Sequence, residues 1–496
     1  MPEDVVTKAI GWREVLAMVC AGVVLAGACE ALPHLGMSVE DLAWEGAFAA
    51  ASAEQIACSP LGSYRPLCGA LLIAQGAYAP TTKLAMGLAA HVAVAVLCGA
   101  LAFRLTGRRA AFVWATVVPL CWSTQAEITL WLGGRCDLFC TLLGLLGAHA
   151  LLFALERRRV AWSLVAAAFV LLASLVKEPG LLLPVVYLPL AAMKLPVISG
   201  KPLVRLLVAP WAAALIAGVW HLAVSRGASP YVAARLDRGP LELLGNVAQA
   251  LAKLALGSTF DWPNTLVAFV AVLVIVGFAL ACWRGPRLLV IAWVLALSAL
   301  IAPLALVHAP RTLYVLVAFC AISAAVRFAS APRWRSIAVT AVLVHMGLAL
   351  AAQRIWVDVA GQRDALAAAL VERVSNQRAL ILGMRLRPMG VVAAAVPLEY
   401  LPGVSAEHVL PARYSENAIQ LLRPASVVSV EQCRVQLRYK VPPGTLAHPR
   451  DVDVVADGDL VTLDVPEPLI LIYGDVDGQA TYMSVPCDHG DRPTWG

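Results

Sequence analysis

Two neighbouring carboxylates, Glu40 and Asp41, are the residues of this chain best placed to do chemistry. They come soon after the first long apolar run. A carboxylate can accept the proton of an attacking hydroxyl group. It can also stabilise positive charge at the anomeric carbon of a reacting sugar. We therefore take Glu40 and Asp41 as candidate catalytic residues; the alternative is a pair of solvated loop carboxylates.

Three arginines in the segments between apolar runs are candidates for binding an anion. They are Arg65, which precedes a proline, Arg135, which follows two glycines, and Arg311, which opens a later apolar run. The planar guanidinium group matches the oxygens of a phosphate. A structural role, as an interfacial anchor or as the partner of a nearby carboxylate, is the alternative for each arginine.

Two motifs combine opposite charges. Arg135 and Asp137 stand two residues apart after Gly133-Gly134 and could pair in a tight turn. Lys177 and Glu178, followed by a proline, interrupt an otherwise apolar stretch. Charges in such a setting are costly and are usually paired or functional. A helix-breaking proline at this depth favours a polar cavity, and a structural ion pair is the alternative.

The composition requires a membrane environment for the elements that carry these residues. Hydrophobic residues make up 60% of the 496-residue chain, charged residues 14%, and the mean hydropathy is +0.77. A soluble domain carries about 25% charged residues. Since a span needs about 20 apolar residues, we predict about eleven transmembrane helices, near 15–35, 84–104, 110–122, 137–155, 160–176, 180–193, 204–224, 264–283, 286–306, 311–328 and 336–353.

The distribution of basic residues predicts the orientation. Short connections such as Arg157-Arg158-Arg159 are rich in arginine and lysine, and alternation places them all on the side of the N-terminus. The positive-inside rule makes that side cytoplasmic. The long connections 36–83 and 226–263 then lie outside, and apolar residues at helical spacing after Pro240 predict an interfacial helix. We expect a multi-pass protein of the bacterial inner membrane.

The chain changes character after the last predicted span. Residues 1–353 form the predicted membrane domain, and residues 354–496 a small exterior domain that is β-rich (α+β). In the second part, a polar helix over 357–377 precedes short β-type runs separated by Pro, Gly and Asp. It contains no enzyme motif, so we expect a lid or a docking module.

The spacing of the cysteines and the pattern of charges argue against two classes of ligand, zinc ions and nucleic acids. Cys58 with Cys68, and Cys433 with Cys487, could form disulfides if the outer compartment is oxidising. Neither pair has the spacing of a zinc site, so no metal ligand is predicted. Basic residues are not interleaved with aromatic ones in a run, which argues against a nucleic-acid partner.

The order of these motifs resembles a known family. An acidic pair in the first outer loop is similar to that of the C-type glycosyltransferase superfamily, whose multispanning enzymes use polyprenyl-phosphate sugars. The later motifs resemble the membrane part of tetratricopeptide-bearing protein O-mannosyltransferases and their bacterial relatives, over about residues 36–325. They are Tyr64-Arg65-Pro66-Leu67, His91, Trp131 to Asp137, Lys177-Glu178 and Arg311-Thr312-Leu313-Tyr314.

The resemblance implies an inverting transfer of a sugar. Asp41, or Glu40, would be the catalytic base, and Arg311 would meet the donor phosphate. Arg65, Arg135, Asp137, Lys177, Glu178, Tyr314 and His91 would line the donor site. The implied partners are membrane lipid, the lipid-linked sugar donor and a glycan, lipid or protein acceptor; the sequence does not determine whether the reaction needs a divalent metal ion. The tetratricopeptide array is absent, so a protein Ser/Thr acceptor does not carry over.

Two other classes of function remain open at this stage. A transporter or flippase of lipid-linked glycans would have broken helices near the membrane midplane and paired inverted halves. The polar residues here concentrate instead at the predicted outer boundary. A non-catalytic scaffold would tolerate substitution of Asp41, Arg135 and Arg311. An oligosaccharide polymerase or ligase is a neighbouring enzyme class.

Overall fold

A computed structural model describes most of the apolar part of the chain and seven strands near its end. The described residues are 10–35, 65–123, 125–130, 134–194, 200–225, 239–256, 264–283, 287–306, 313–330, 334–373, 378–382, 425–431, 434–439, 453–457, 460–464, 469–474 and 480–485. Glu40, Asp41 and Arg311 lie outside them, as do Cys58, Cys433 and Cys487. The chain divides into two compact units, with the boundary between Arg354 and Ile355.

The first unit is a bundle of apolar helices. They are α1 (Trp12–Leu35), α2 (Pro66–Gly76), α3 (Pro80–Thr106), α4 (Arg109–Cys121), α5 (Gln125–Leu130), α6 (Arg135–Arg157), α7 (Val160–Val176), α8 (Leu183–Val186), α9 (Leu188–Lys194), α10 (Lys201–Ser225), α11 (Pro240–Leu256), α12 (Asn264–Trp283), α13 (Arg287–Leu306), α14 (Tyr314–Ser330) and α15 (Trp334–Arg373). A 3-10 turn, Glu178–Leu182, connects α7 to α8.

Within the described residues, five helices are long and apolar enough to cross a membrane. They are α1, α3, α6, α10 and the Arg335–Asp358 part of α15. The protein is therefore a helical membrane protein. Shorter apolar helices include α4 and α7. The count of eleven spans stays a prediction.

Two helix boundaries differ from the sequence prediction, and proline explains both. The stretch 180–193 was predicted as one span, but it is a 3-10 turn followed by two short helices. Its prolines, Pro184 and Pro189, donate no backbone hydrogen bond and disfavour a continuous helix. The opposite holds for α15, where a span and a separate polar helix were predicted. Its 40 residues contain no proline.

The core of the bundle forms around α6, which packs against α3 and α7. Gly144 and Gly147 of α6 leave room for two residues that follow the 3-10 turn, Leu183 and Tyr187. A Cβ atom on Gly144 would lie 2.8 Å from Leu183 Cδ2. The Tyr187 hydroxyl donates a 2.7 Å hydrogen bond to the Gly144 carbonyl. Because Tyr187 is 1% exposed, this bond satisfies a buried polar group that would otherwise be costly.

A buried carboxylate near the start of α1 joins three helices, α1, α4 and α15. Glu14, which is 1% exposed, accepts hydrogen bonds from Trp114 Nε1 of α4 at 3.2 Å and from the Gly11 amide at 3.1 Å. Arg335 Nη1 of α15 lies 3.2 Å from the same carboxylate. The starts of α1 and α15 therefore lie close together.

The amphipathic helix predicted after Pro240 is present as α11. Leu241 and Leu244 are 85% and 64% exposed, whereas Ala250 and Leu251 are buried. Its last turn is held by Trp122 Nε1, which donates a 2.8 Å hydrogen bond to the Leu254 carbonyl. Exposed leucines in the first turn of an amphipathic helix are typical of a segment in the membrane interface. That location stays a prediction.

The second unit contains the end of α15 and two sheets. The strands are β1 (Arg378–Leu382), β2 (Ala425–Glu431), β3 (Arg434–Tyr439), β4 (Asp453–Asp457), β5 (Leu460–Asp464), β6 (Leu469–Gly474) and β7 (Ala480–Val485). One sheet has the order β1-β6-β7, with β1 parallel to β6. The other has the order β2-β3-β5-β4 and is antiparallel throughout.

Candidate functional site

A disulfide joins the end of the first long connection to the start of α6. It links Cys68 of α2 to Cys136 of α6, with the Cα atoms 5.9 Å apart. Both cysteines are buried, at 6% and 9% exposure. The predicted pairing of Cys68 with Cys58 is therefore wrong. It paired cysteines that are near in sequence, whereas folding brings α2 to the start of α6.

Arg65, directly before α2, forms a bidentate ion pair with Glu178 of the 3-10 turn. Nε and Nη2 donate to the two carboxylate oxygens at 2.9 and 2.8 Å. Burial raises the pKa of the Glu178 carboxyl, but the charge and hydrogen bonds of Arg65 outweigh this, so its pKa lies below the ordinary value. Glu178 lies in the connection between two apolar helices. The Glu178 carboxylate is therefore ionised, and its two oxygens match the two parallel N–H donors of the Arg65 guanidinium group.

The second ion pair of the site is more deeply buried. Lys177 Nζ lies 2.5 Å from Asp137 Oδ2, and the two side chains are 10% and 1% exposed. Asp137 stands in the first turn of α6, where the helix dipole favours a negative charge. The sequence suggested pairing between Arg135 and Asp137 and between Lys177 and Glu178. The ion pairs observed for Asp137 and Glu178 instead join different segments.

Arg135 lies against α3 and is 2% exposed. Its Nη2 atom donates to the backbone carbonyl of Lys83. A Cβ atom on Gly87 would lie 3.6 Å from Arg135 Nε and 3.5 Å from the Thr129 carbonyl. The guanidinium group therefore packs against the face of α3 that carries Gly87.

A buried histidine–tyrosine pair lies one turn further along α3. His91 Nδ1 is 2.5 Å from the Tyr314 hydroxyl, and both residues are 0% exposed. Lys83, Gly87 and His91 are spaced four residues apart, which puts them on one face of α3. Within the described part of the chain, His91 Nε2 and Asp137 Oδ1 are buried without a hydrogen-bond partner. Such atoms in a polar cluster are positions where a ligand or a water can bind.

The His91–Tyr314 bond allows a direct test. We expect Tyr314→Phe to lower the free energy of unfolding by about 1–3 kcal/mol, because it leaves a buried imidazole nitrogen unsatisfied. Thermal unfolding in detergent measures this loss. Tyr78→Phe is the matched control, since Tyr78 is 50% exposed. A Tyr314→Phe protein as stable as the control would contradict the assignment of this bond.

The structure brings together the described members of the predicted site. Arg65, Arg135, Asp137, Lys177 and Glu178 come from separate segments and are linked through two ion pairs and one disulfide. His91 and Tyr314 pair with each other beside them. The candidate base Asp41 or Glu40 and the candidate phosphate ligand Arg311 lie outside the described residues. We refer to Arg65, Cys68, Lys83, Arg135, Cys136, Asp137, Lys177 and Glu178 as the polar cluster.

Three members of the cluster were not predicted as site residues. Cys136 stands inside the Arg135–Asp137 motif, and Cys68 follows Arg65 by three residues, so proximity to predicted site residues was the available signal. Lys83 contributes through its backbone carbonyl. A backbone contact leaves no signal in residue type.

Two further observations concern metal sites and cavities in the rest of the described structure, and neither coincides with the polar cluster. None of its groups of three or more His, Cys, Asp or Glu side chains is placed to hold a metal ion. A cavity of about 90 Å³ is lined almost entirely by apolar side chains, among them Leu101, Leu105 and Phe319. Leu101 follows His91 by ten residues, which is roughly 15 Å along a helix. The cavity is therefore separate from the polar cluster.

Comparison with known proteins adds no family. No protein-family model matches the chain, and no curated protein matches it.

Proposed function

We propose that this chain is an integral-membrane, inverting glycosyltransferase. It would move a sugar from a polyprenyl-phosphate donor to an acceptor on the non-cytoplasmic face of the bacterial inner membrane. The observation that carries this proposal is the assembly of Arg65, Asp137, Lys177 and Glu178 from three separate segments into one cluster of ion pairs. Burying the Lys177–Asp137 pair costs desolvation energy, and this cost favours a functional role over a structural one.

The charges of the cluster suit a phosphate leaving group. In the described residues, the cations Arg65, Arg135 and Lys177 outnumber the carboxylates Asp137 and Glu178. As the sugar leaves, negative charge grows on the phosphate, and preoriented cations stabilise that charge more strongly than mobile water does. Arg311 would add a further cation, since it stands three residues before the buried Tyr314.

Residues of the predicted first outer loop would activate the acceptor. Asp41, or Glu40, would remove the proton of the acceptor hydroxyl as its oxygen attacks the anomeric carbon. Attack from the face opposite the phosphate inverts that carbon. The bond from the anomeric carbon to the phosphate oxygen breaks, and polyprenyl phosphate leaves.

The finer architecture belongs to the same proposal. Eleven spans would be completed by the shorter helices, and the exterior β-rich domain would follow the last span. Two polar layers support this arrangement. Glu14 with Arg335, and Arg104 with Glu156 at 2.6 Å, join helix ends predicted to be cytoplasmic, while the polar cluster joins ends predicted to be outside.

Reconstituted vesicles provide the test of the proposed reaction. Purified protein is incubated with polyprenyl-phosphate sugars carrying a radioactive sugar and with short glycan, lipid or peptide acceptors. We expect label to move to an acceptor while polyprenyl phosphate accumulates in equal amount. A donor that changes leaflets without losing its sugar would identify a flippase instead. Intact donor that stays in its leaflet would support the scaffold. Either result overturns the proposal.

A further inference from the structure

We propose that the Cys68–Cys136 disulfide is a positioning element, so that the polar cluster is assembled only after oxidation of these two thiols. Oxidation places this cluster in a compartment that sustains disulfides. This inference concerns how the site forms and holds for any reaction at the cluster. Only its activity measurement rests on the proposed function.

The disulfide lies between the two ion pairs. Cys68 follows Arg65 by three residues, so both lie near the same face of the first turn of α2. Cys136 stands directly before Asp137. One covalent bond therefore joins the segment that presents Arg65 to Glu178 with the segment that presents Asp137 to Lys177. Since Lys177 and Glu178 are adjacent in sequence, the disulfide closes a ring through both ion pairs.

The other contacts of α2 are only partly buried. It has 11 residues, of which Cys68, Gly69 and Gln75 are buried; the residues that pack against the core from half-buried positions are Leu67, Leu71 and Leu72. Helices shorter than about 12 residues are marginal without tertiary contacts. The Cys68–Cys136 disulfide to α6 is therefore an important contact for positioning α2. The bond links residues 68 positions apart in sequence. It therefore lowers the conformational entropy of the unfolded chain and favours the folded arrangement in which α2 contacts α6.

The chemistry of the bond indicates the compartment. Each thiol gives up its proton, two electrons pass to the disulfide of an oxidoreductase, and that donor leaves as a dithiol. Such disulfide donors act in the bacterial periplasm, whereas the cytosol keeps thiols reduced. The disulfide therefore supports, independently of the basic residues, an outer location for α2 and the start of α6.

The first experiment establishes the bond itself. Membranes are denatured in the presence of N-ethylmaleimide, reduced, and then treated with a maleimide of large mass. The shifted protein is digested and analysed by mass spectrometry. We expect Cys68 and Cys136 to react only after reduction, and Cys140, a free buried thiol one turn along α6, to react before it. Reaction of Cys68 and Cys136 before reduction would overturn the proposal.

The second experiment measures positioning without any activity assay. The rate at which an amine-reactive reagent modifies Lys177 is measured in detergent, with the exposed Lys201 as the internal reference. We expect Cys68→Ser, Cys136→Ser, the double variant and reduced wild type each to raise this rate by roughly tenfold or more. The double variant should equal the single ones, because all lose the same bond.

Controls separate positioning from unfolding. Cys121→Ser removes a buried thiol of α4 without touching the bond, and it should leave Lys177 unreactive. Cys98, which is 0% exposed, should stay unreactive to maleimide in every variant if the bundle remains folded. Additive effects of the two cysteine variants, a response of Cys121→Ser, or an unchanged Lys177 rate would each overturn the proposal.

The activity arm distinguishes this inference from the proposed function. If the chain is a transferase, loss of the bond should raise KM for the lipid-phosphate donor, since Arg65 and Lys177 would bind its phosphate in the ground state as well. If wild type shows no transfer while the Lys177 rate still responds to the disulfide, the proposed function fails and the positioning role stands. Unchanged donor KM in an active enzyme would count against the positioning role.

Discussion

Asp41→Asn should lower sugar transfer by roughly 10²- to 10⁴-fold, the range typical for loss of a general base. Asparagine matches the shape of aspartate but cannot take the proton of the acceptor hydroxyl. The change should appear in the turnover number with the radioactive donor described above. Because Asp41 stands in a connection and not in an apolar run, we expect the variant to insert into the membrane in normal amount.

Its neighbour supplies the matched control. Glu40→Gln removes the adjacent carboxylate with the same loss of charge, so the two variants together assign the base. A large loss with Asp41→Asn alone assigns it to Asp41, and the reverse result assigns it to Glu40. Near-normal turnover in both variants would contradict a catalytic role for this acidic pair.

Lys177→Met should cost about 3–5 kcal/mol of unfolding free energy, because it leaves the Asp137 carboxylate buried without its counter-charge. Asp137 is 1% exposed, and its second oxygen has no hydrogen-bond partner in the described residues. Unfolding by heat or denaturant in detergent measures the loss.

The double variant Asp137→Leu/Lys177→Met tests the electrostatic reason. Removing both charges should restore most of the lost stability, since a buried ion pair replaced by apolar side chains is often neutral. Glu178→Gln is the control within the same cluster. Its side chain is 41% exposed, and exposed pairs contribute about 0–1 kcal/mol. Equal losses for Lys177→Met and Glu178→Gln would contradict the role of burial.

These variants also separate the classes of function. A scaffold would keep its function when Asp41 and Arg135 are changed, provided that the protein folds. A transferase would lose transfer with Asp41→Asn at unchanged stability. Measuring turnover and unfolding on the same preparation therefore distinguishes a damaged site from a damaged fold.

Helix positions were accessible from the sequence because their signal is local. Runs of apolar residues predicted α7 and α12 at their observed bounds, 160–176 and 264–283. The apolar composition of each run indicates a lipid environment by itself, without knowledge of the helices that pack against it. Prediction was wrong where backbone details decided the outcome. The proline-rich stretch after Glu178 breaks into short pieces, and α15 continues without interruption.

The sequence by itself determined which residue types are available at the candidate site and that the chain is a helical membrane protein. Only the tertiary structure decided their partners: Arg65 with Glu178, Lys177 with Asp137, and Cys68 with Cys136. Sequence distance favoured the neighbouring pairs Lys177–Glu178 and Cys58–Cys68. Apolar periodicity acts within one helix, whereas an ion pair or a disulfide depends on where two distant helix ends meet, and packing sets that meeting point.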